Sequence, residues 1–242
     1  MQPQTIYLLN QLNRQFYQTT ASAFDASRHA PWQGWHQLLP FLSESRPNPL
    51  RVWDVGCGNG RFGLFLAQQL GPTFHYTGWD NSPYLLDRAH SALKEQGIEY
   101  QLQTADVVEA DVQPPGTYDL IALFGVLHHI PSVALRHKLI HALLEALTPQ
   151  GQLWLSTWAF YELERFRARV IAWEDARVPP EYQTLDLEAH DYLLDWRSDP
   201  PPALRYCHYV SSQEASNLLN SASVVGQFSA DQLNHYYVVT RP

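Results

Sequence analysis

An α/β fold follows from two features of this 242-residue chain. The first is the stretch R-V-W-D-V-G-C-G-N-G, from Arg51 to Gly60. A short apolar run rich in β-branched and aromatic residues ends in glycines on alternate positions. Phe62, Leu64, Phe65, Leu66 and Leu70 then follow at spacings of three and four. That pattern is a buried strand, a tight turn and a helix, the arrangement by which an α/β protein brings backbone against a nucleotide. The second feature is the repetition of the pattern, apolar run then helical stripe, down the chain. It predicts a seven-stranded, mostly parallel sheet with helices on both faces, closed by an antiparallel pair.

Composition sets the bounds. Hydrophobic residues make up 45% and charged residues 17%, enough for the core of a single domain. Within it we expect an N-terminal helical arm (1–48), a core (49–157), a substrate-side insertion (158–209) and a C-terminal helix with antiparallel strands (210–242). No apolar run approaches the ~20 residues that span a membrane. The start, M-Q-P-Q-T-I-Y-L-L-N, lacks a signal peptide's basic and apolar regions. With only Cys57 and Cys207, a cytoplasmic protein with reduced thiols is the expectation. The net charge is −8 and the lysines are Lys94 and Lys138 alone, a poor match to the basic face of a nucleic-acid binder.

Taken in order, Ile6, Leu8, Leu9, Leu12 and Phe16 form a helical stripe over residues 4–18. An arm with Tyr17, Phe24, Arg28, His29 and Trp32 follows, then a second helix from Trp32 to Leu42. An arginine fork such as Arg28 suits a carboxylate. In the glycine turn, Asp54 stands two residues before Gly56, followed by Cys57, Gly58, Asn59 and Gly60. A dinucleotide loop needs its third glycine where Arg61 stands, so a nicotinamide cofactor fits badly. The second strand, Phe74–Trp79, ends at Asp80-Asn81, about 20 residues past the turn, where a carboxylate takes a ribose diol. Ser82 or Asn81 suits a helix cap and Pro83 the first turn.

The helix Tyr84–Gln96 stops at Gly97, and a third strand, Ile98–Gln103, leads to Ala105-Asp106-Val107. The fourth strand, Tyr118–Phe124, runs into Gly125-Val126-Leu127-His128-His129-Ile130. Adjacent histidines point apart, and no cysteine or acid completes a metal set, so we expect no metal. His137 and His141, spaced i, i+4 with no third ligand, read as a solvated face. A helix (Leu135–Leu147) and a fifth strand (Gln152–Thr157) follow. After Trp158 the spacing predicts a charged helix over Tyr161–Arg177, a Pro200-Pro201-Pro202 spacer, and a last helix, Val210–Leu219, capped by Ser211 or Ser212. Val224-Val225 and Tyr236–Thr240 close the sheet.

As a set, D-V-G-C-G-N-G, Asp80, Asp106 and G-V-L-H-H-I resemble the S-adenosylmethionine (SAM) dependent methyltransferases of class I, with a Rossmann-like fold. The resemblance implies SAM as cofactor. It places Tyr17, Arg28, Trp32, Asp54, Gly56, Cys57, Gly58, Asn59, Gly60, Asp80, Asn81, Ala105, Asp106, Val107, Phe124, Gly125, Val126 and His129 around it. It also puts Asp106 on the adenine amino group and the end of the fourth strand beside the sulfonium. F-D-A-S-R-H-A-P-W, S-T-W-A, D-Y-L-L-D-W-R (Asp191–Arg197) and R-Y-C-H-Y-V (Arg205–Val210) resemble one branch, the methyltransferases that finish wobble-uridine modification in tRNA by esterifying a carboxymethyl group. Eukaryotes carry that branch as a stand-alone enzyme or fused to an AlkB-type domain. Cys207 stands where that branch often has an aromatic residue.

A carboxylate acceptor is already ionised at neutral pH and needs a cation rather than a base. A phenol or amine would instead need a base, for which His128 or His129 is the candidate. The expected catalytic residues are Arg28, His128 and His129. Trp158, Trp196, Arg197, Arg205, Tyr206 and His208 are expected against the substrate. The expected reaction is methyl transfer to a small-molecule acceptor, a carboxylate among the candidates. The alternatives are a tRNA wobble-uridine carboxymethyl O-methyltransferase, with a small activator protein supplying basic surface, and a non-catalytic methyltransferase-like binding subunit.

Overall fold

Strand β1 (Leu50–Val55) is the axis of the molecule, and its alternation divides the core in two. A computed structural model describes residues 1–26, 30–43, 46–109, 112–175, 177–196 and 203–242, with Phe24 described in its backbone alone. Before β1 come helices α1 (Pro3–Ala26) and α2 (Gln33–Leu38). After it come α3 (Arg61–Leu70), β2 (Phe74–Asp80), α4 (Pro83–Glu95), β3 (Glu99–Thr104), β4 (Tyr118–Leu123), α5 (Val133–Glu145) and β5 (Leu147–Trp158). The insertion holds α6 (Glu164–Arg167), β6 (Val170–Ile171), β7 (Asp191–Trp196) and β8 (Ala203–His208). Then α7 (Ser212–Leu218), β9 (Ser223–Ala230) and β10 (Asn234–Thr240) complete the chain.

The main sheet has seven strands in the order β3-β2-β1-β4-β5-β10-β9. β1 to β5 run parallel, and β10 lies antiparallel to both β5 and β9. Strand order reverses between β1 and β4, so the connections leaving their carboxyl ends go to opposite faces and open a crevice there. Trp53 and Val55 face α5 and α7, packing with Leu139, Ile140, Leu143 and Leu218. Leu50 and Val52 face the other way, onto Trp35, Phe62, Phe65, Leu66 and Leu93 from α2, α3 and α4. Each such side chain contributes roughly 1.5–3 kcal/mol on burial.

The insertion forms its own sheet, β6-β7-β8, with every pairing antiparallel. It packs on α1 through Leu193 and Tyr206 against Leu9 and Leu12. A buried ionic clasp fastens it to the core. Arg136 of α5, 1% exposed, donates to Glu188 Oε2, Glu214 Oε1 and the Ile130 carbonyl, each at 2.8 Å. His208 bridges Asp191 Oδ1 (2.7 Å) and Glu214 Oε2 (2.8 Å).

Two expectations need correction. Tyr161–Arg177 is not one helix: a 3-10 turn (Phe160–Glu162) and the four residues of α6 give way to β6. Val170 and Ile171 are β-branched and pair with Leu194 and Leu193, and the Asp175 carboxylate then accepts from the Arg177 N–H, closing a turn. The last helix begins at Ser212, because Ser211 Oγ accepts from the Glu214 N–H at 3.2 Å. Glu214 does not complete a capping box, its carboxylate being taken by Arg136 and His208. The Pro200-Pro201-Pro202 spacer lies outside the described residues.

Candidate active site

The crevice at the β1/β4 switch point is a cavity of about 730 Å³, within the usual range for a small-ligand site. Its floor is the glycine turn, hung on β2 by the Gly56 and Cys57 N–H groups, which donate to the Trp79 carbonyl at 2.7 and 2.9 Å. Gly56 has φ +78, and a Cβ there would stand 2.3 Å from Val126 Cγ2, so the turn admits only glycine. Gly58, at φ +53, is the opposite case: a Cβ would meet nothing within 4 Å, because the space above it is the cavity. Gly60 caps α3 and faces Ala89, outside the cavity lining.

Three carboxylates line one half. Asp54, 3% exposed, accepts from the Tyr76 hydroxyl at 2.6 Å; burial, with Asp80 nearby, still pushes its pKa up to about 7. Asp80 takes one N–H on each oxygen, from Gly58 (2.8 Å) and Ser82 (2.9 Å), and enclosure raises its pKa despite them. Each oxygen keeps a lone pair for a further donor. Asp106 accepts from the Val108 N–H (2.9 Å) and from Asn10 Nδ2 of α1 (3.1 Å). Ser82 Oγ caps α4, with Pro83 in its first turn, so the loop after β2 serves helix and cavity together.

The arm closes the roof. Asp25 near the end of α1 accepts from Asn59 Nδ2 (2.8 Å) and Arg88 Nε (3.1 Å), fixing the arm to the glycine turn. Farther along α1, the Tyr17 hydroxyl lies 2.7 Å from His129 Nε2, and Asn13 Nδ2 lies 3.3 Å from His129 Nδ1. Burial, then the Arg205 charge, drives the His129 pKa well below its ordinary value, so the imidazole is neutral. Trp32 stacks on Trp35, and Arg61 lies over both rings.

The other half is aromatic and cationic. Arg205, 5% exposed, has its guanidinium carbon 4.9 Å from the Trp158 ring, 5.1 Å from Phe16 and 5.3 Å from Trp196, with Tyr17 and Cys207 against it. Its Nε has no hydrogen-bond partner among the described residues. His128 packs on Trp158, ring centroids 5.1 Å apart.

Tyr17, Trp32, Asp54, Gly56, Cys57, Gly58, Asn59, Asp80, Asn81, Ala105, Asp106, Val107, Phe124, Gly125, Val126, His128, His129, Trp158, Trp196 and Arg205 therefore converge on one space. Tyr206 and His208 do not. Side chains alternate along β8, so Arg205 and Cys207 face the cavity side while Tyr206 and His208 turn to Asp191, at 2.8 and 2.7 Å, within the clasp and the α1 contact. Arg28, His29 and Arg197 lie outside the described residues. The structure also supplies what the histidine pair lacks in sequence: His128, His129 and Cys207 bring their ligand atoms within 4.8 Å of one another. The buried Arg205 charge lies beside this trio and opposes a cation there. Asn10 and Asn13 escaped the sequence reading, although their spacing from Tyr17 puts all three on one helical face. Arg165, Phe166 and Arg169 escaped it too.

This fold and cavity define a class I SAM-dependent methyltransferase. Residues 24–222 match the methyltransferase domain family, and the chain belongs to it. It is 29% identical over 145 residues to the tRNA (carboxymethyluridine(34)-5-O)-methyltransferase ALKBH8 of Mus musculus, covering 60% of this chain and 19% of that protein. It is 31% identical over 134 residues to the ubiquinone biosynthesis O-methyltransferase of Xylella fastidiosa, covering 53% and 52%. The chain thus spans about a fifth and about half of those relatives. In fold it is similar to a SAM-dependent methyltransferase from Clostridium acetobutylicum (TM-score 0.64, 13% identity, 93% and 98% covered). It is also similar to the N-methyltransferase NodS of Bradyrhizobium japonicum in complex with S-adenosylhomocysteine (TM-score 0.55, 17% identity, 87% of each chain). The cofactor of this class is SAM, and the residues here fit it: open backbone above Gly58, paired oxygens on Asp80 and the Asp106 carboxylate line one wall. Among the described residues no helix is long and apolar enough to cross a membrane.

Proposed function

We propose that this chain transfers the methyl group of SAM to the carboxylate of a small acceptor held by Arg205. The observation that carries the reading is Arg205 itself, a buried guanidinium facing the cavity from an aromatic box, with no carboxylate paired to it among the described residues. Bound SAM supplies an electrophilic methyl on a sulfonium. The chain's own residues supply position and dryness. Asp80 and Asp106 orient the cofactor end, and Trp158, Trp196 and Phe16 keep water from Arg205. A carboxylate held by an arginine fork gains about 1.5–3 kcal/mol from each charge-assisted hydrogen bond. It needs no proton removed, which agrees with a His129 kept neutral and poorly basic.

In this reading α1 and the insertion act as a lid. Arg28 takes the cofactor's own carboxylate, and Arg28→Ala leaving both cofactor affinity and turnover unchanged would remove that role. A second reading keeps the ester chemistry and changes the carrier: a carboxymethyl group on tRNA wobble uridine. The likeness to the mouse protein favours it. With two lysines and a net charge of −8, that acceptor calls for a partner with basic surface, such as a small activator protein. Incubation with methyl-tritiated SAM, with a small-molecule extract and with total tRNA as separate acceptors, tests both. Alkali-labile label in small molecules is expected. Alkali-labile label in tRNA alone would select the second reading, and alkali-stable label would remove the carboxylate from both.

A further inference from the structure

Charge is unevenly spread over the cavity. Asp54, Asp80 and Asp106 line the cofactor half together with Arg61, and Asp231 also lines the cavity, whereas the insertion side presents Arg165, Arg169 and Arg205. This side is cationic in a chain carrying a net −8. Arg205 is the inner cation of the proposed acceptor site. Arg165 and Arg169 lie nearer solvent: their guanidinium carbons sit 5.1 and 5.6 Å from the Phe166 ring, and Arg169 also lies 6.0 Å from the Trp196 ring that Arg205 flanks at 5.3 Å. Trp196 is therefore a ring shared by an inner and an outer cation, and the sum of those two separations sets an upper limit on their distance. Neither outer arginine has a side-chain acceptor among the described residues. Two acids of the same segment are committed elsewhere, Asp195 to Arg177 (3.0 Å) and Glu162 to the Tyr209 hydroxyl (2.8 Å).

Two guanidinium groups held against aromatic faces, without a side-chain acceptor among the described residues and beside a third, make a receptor for separated negative charges on a flat body. Resting on the carboxylate reading above, we infer that the acceptor is a planar molecule with two anionic groups: the carboxylate to be methylated, on Arg205, and a second anion at the mouth, on Arg165 and Arg169. The outer group is a carboxylate or a phosphate; the shared chemistry is a planar body bearing two separated anionic groups. The outer pair sets which acceptor is chosen and takes no part in the displacement.

The probes are 4-methylbenzoate, terephthalate and 4-carboxyphenyl phosphate, alike in their flat ring and inner carboxylate and different at the far end. Each is titrated into protein saturated with S-adenosylhomocysteine, with quenching of tryptophan fluorescence as the readout, since Trp158 and Trp196 line the site. At least one of the two doubly substituted probes is expected to bind tenfold or more tightly than 4-methylbenzoate, with the advantage shrinking in high salt. Which of the two wins tells carboxylate from phosphate. Arg165→Gln/Arg169→Gln should abolish the advantage while leaving 4-methylbenzoate affinity within about twofold; Arg205→Met should weaken all three. Equal affinities in the unaltered protein, or an advantage that survives the double substitution, would overturn the inference and leave the carboxylate reading standing. Binding of no probe at all would overturn both.

Discussion

The hydroxyl of Tyr17 lies 2.7 Å from Nε2 of His129, joining the N-terminal helix to the end of the fourth strand across 112 positions of sequence. The contact ties the roof of the cavity to the turn that follows β4. Tyr17→Phe removes it and strands a ring nitrogen in a half-buried site. We expect a loss of about 1 kcal/mol, a fall of roughly 2–4 °C in Tm, with weaker S-adenosylhomocysteine binding. Thermal melts with and without that ligand read both; an unchanged Tm in each would mean that α1 does not depend on this bond.

Asp54 makes stability pH-dependent in a definite direction. Its pKa is raised from 3.8 to about 7, so between these values the folded chain holds a proton that the unfolded chain has released. Its contribution is full below pH 4 and is lost as pH rises through about 7. Asp54→Asn cannot titrate. Relative to the unaltered protein, its stability should improve from pH 4 to pH 8 by a few kcal/mol. Urea denaturation across that range would show it, and a constant difference would refute the assignment.

His208 behaves as a second titrating group, in a different window. Burial opposes its charge, but Asp191 and Glu214 more than compensate, and its pKa is raised above 6.5. Its contribution is present below 6.5 and lost as pH climbs through the folded value. The penalty of His208→Asn should therefore shrink as denaturation is moved from pH 6 to pH 9. A penalty that grows over that range would reverse the sign.

Arg136 carries the clasp. Arg136→Met leaves Glu188 and Glu214 without their buried cation and should cost about 3–5 kcal/mol. A loss below 1 kcal/mol, measured by denaturant unfolding, would mean the carboxylates find water instead.

The two central glycines should separate folding from binding. Gly56→Ala drives a methyl toward Val126 at 2.3 Å and should destabilise the chain by several kcal/mol. Gly58→Ala meets no atom, so its stability cost should be about 1 kcal/mol, from positive φ alone, while the methyl fills cavity space and weakens the cofactor. Equal stability losses for the two would undo the distinction.

These relationships differ in how far they could be read from sequence. The glycine turn, Asp54, Asp80 and the Asp106 loop are local: each depends on a strand end and the few residues after it, so order along the chain fixes their place. The partners of His129 and Asp106 on α1 are about a hundred residues away, and no periodicity reports a contact of that kind. Arg205 was legible and its neighbours Tyr206 and His208 were misplaced for one reason. R-Y-C-H-Y-V reads as one motif, whereas its alternation as a strand separates the cavity side from the clasp side. The insertion misled through charge: a run rich in Glu and Arg suggested a helix where Val170-Ile171 joins a sheet.

The measurement that tests this account most directly is calorimetric titration of S-adenosylhomocysteine into the unaltered protein, Asp80→Ala and Arg205→Met, with all three first shown to be folded by circular dichroism. If the cavity is divided as described, the unaltered protein binds one equivalent, Asp80→Ala loses binding by at least tenfold, and Arg205→Met keeps it within about twofold. Equal losses in the two variants would contradict the division between a carboxylate-lined cofactor half and an arginine-lined acceptor half.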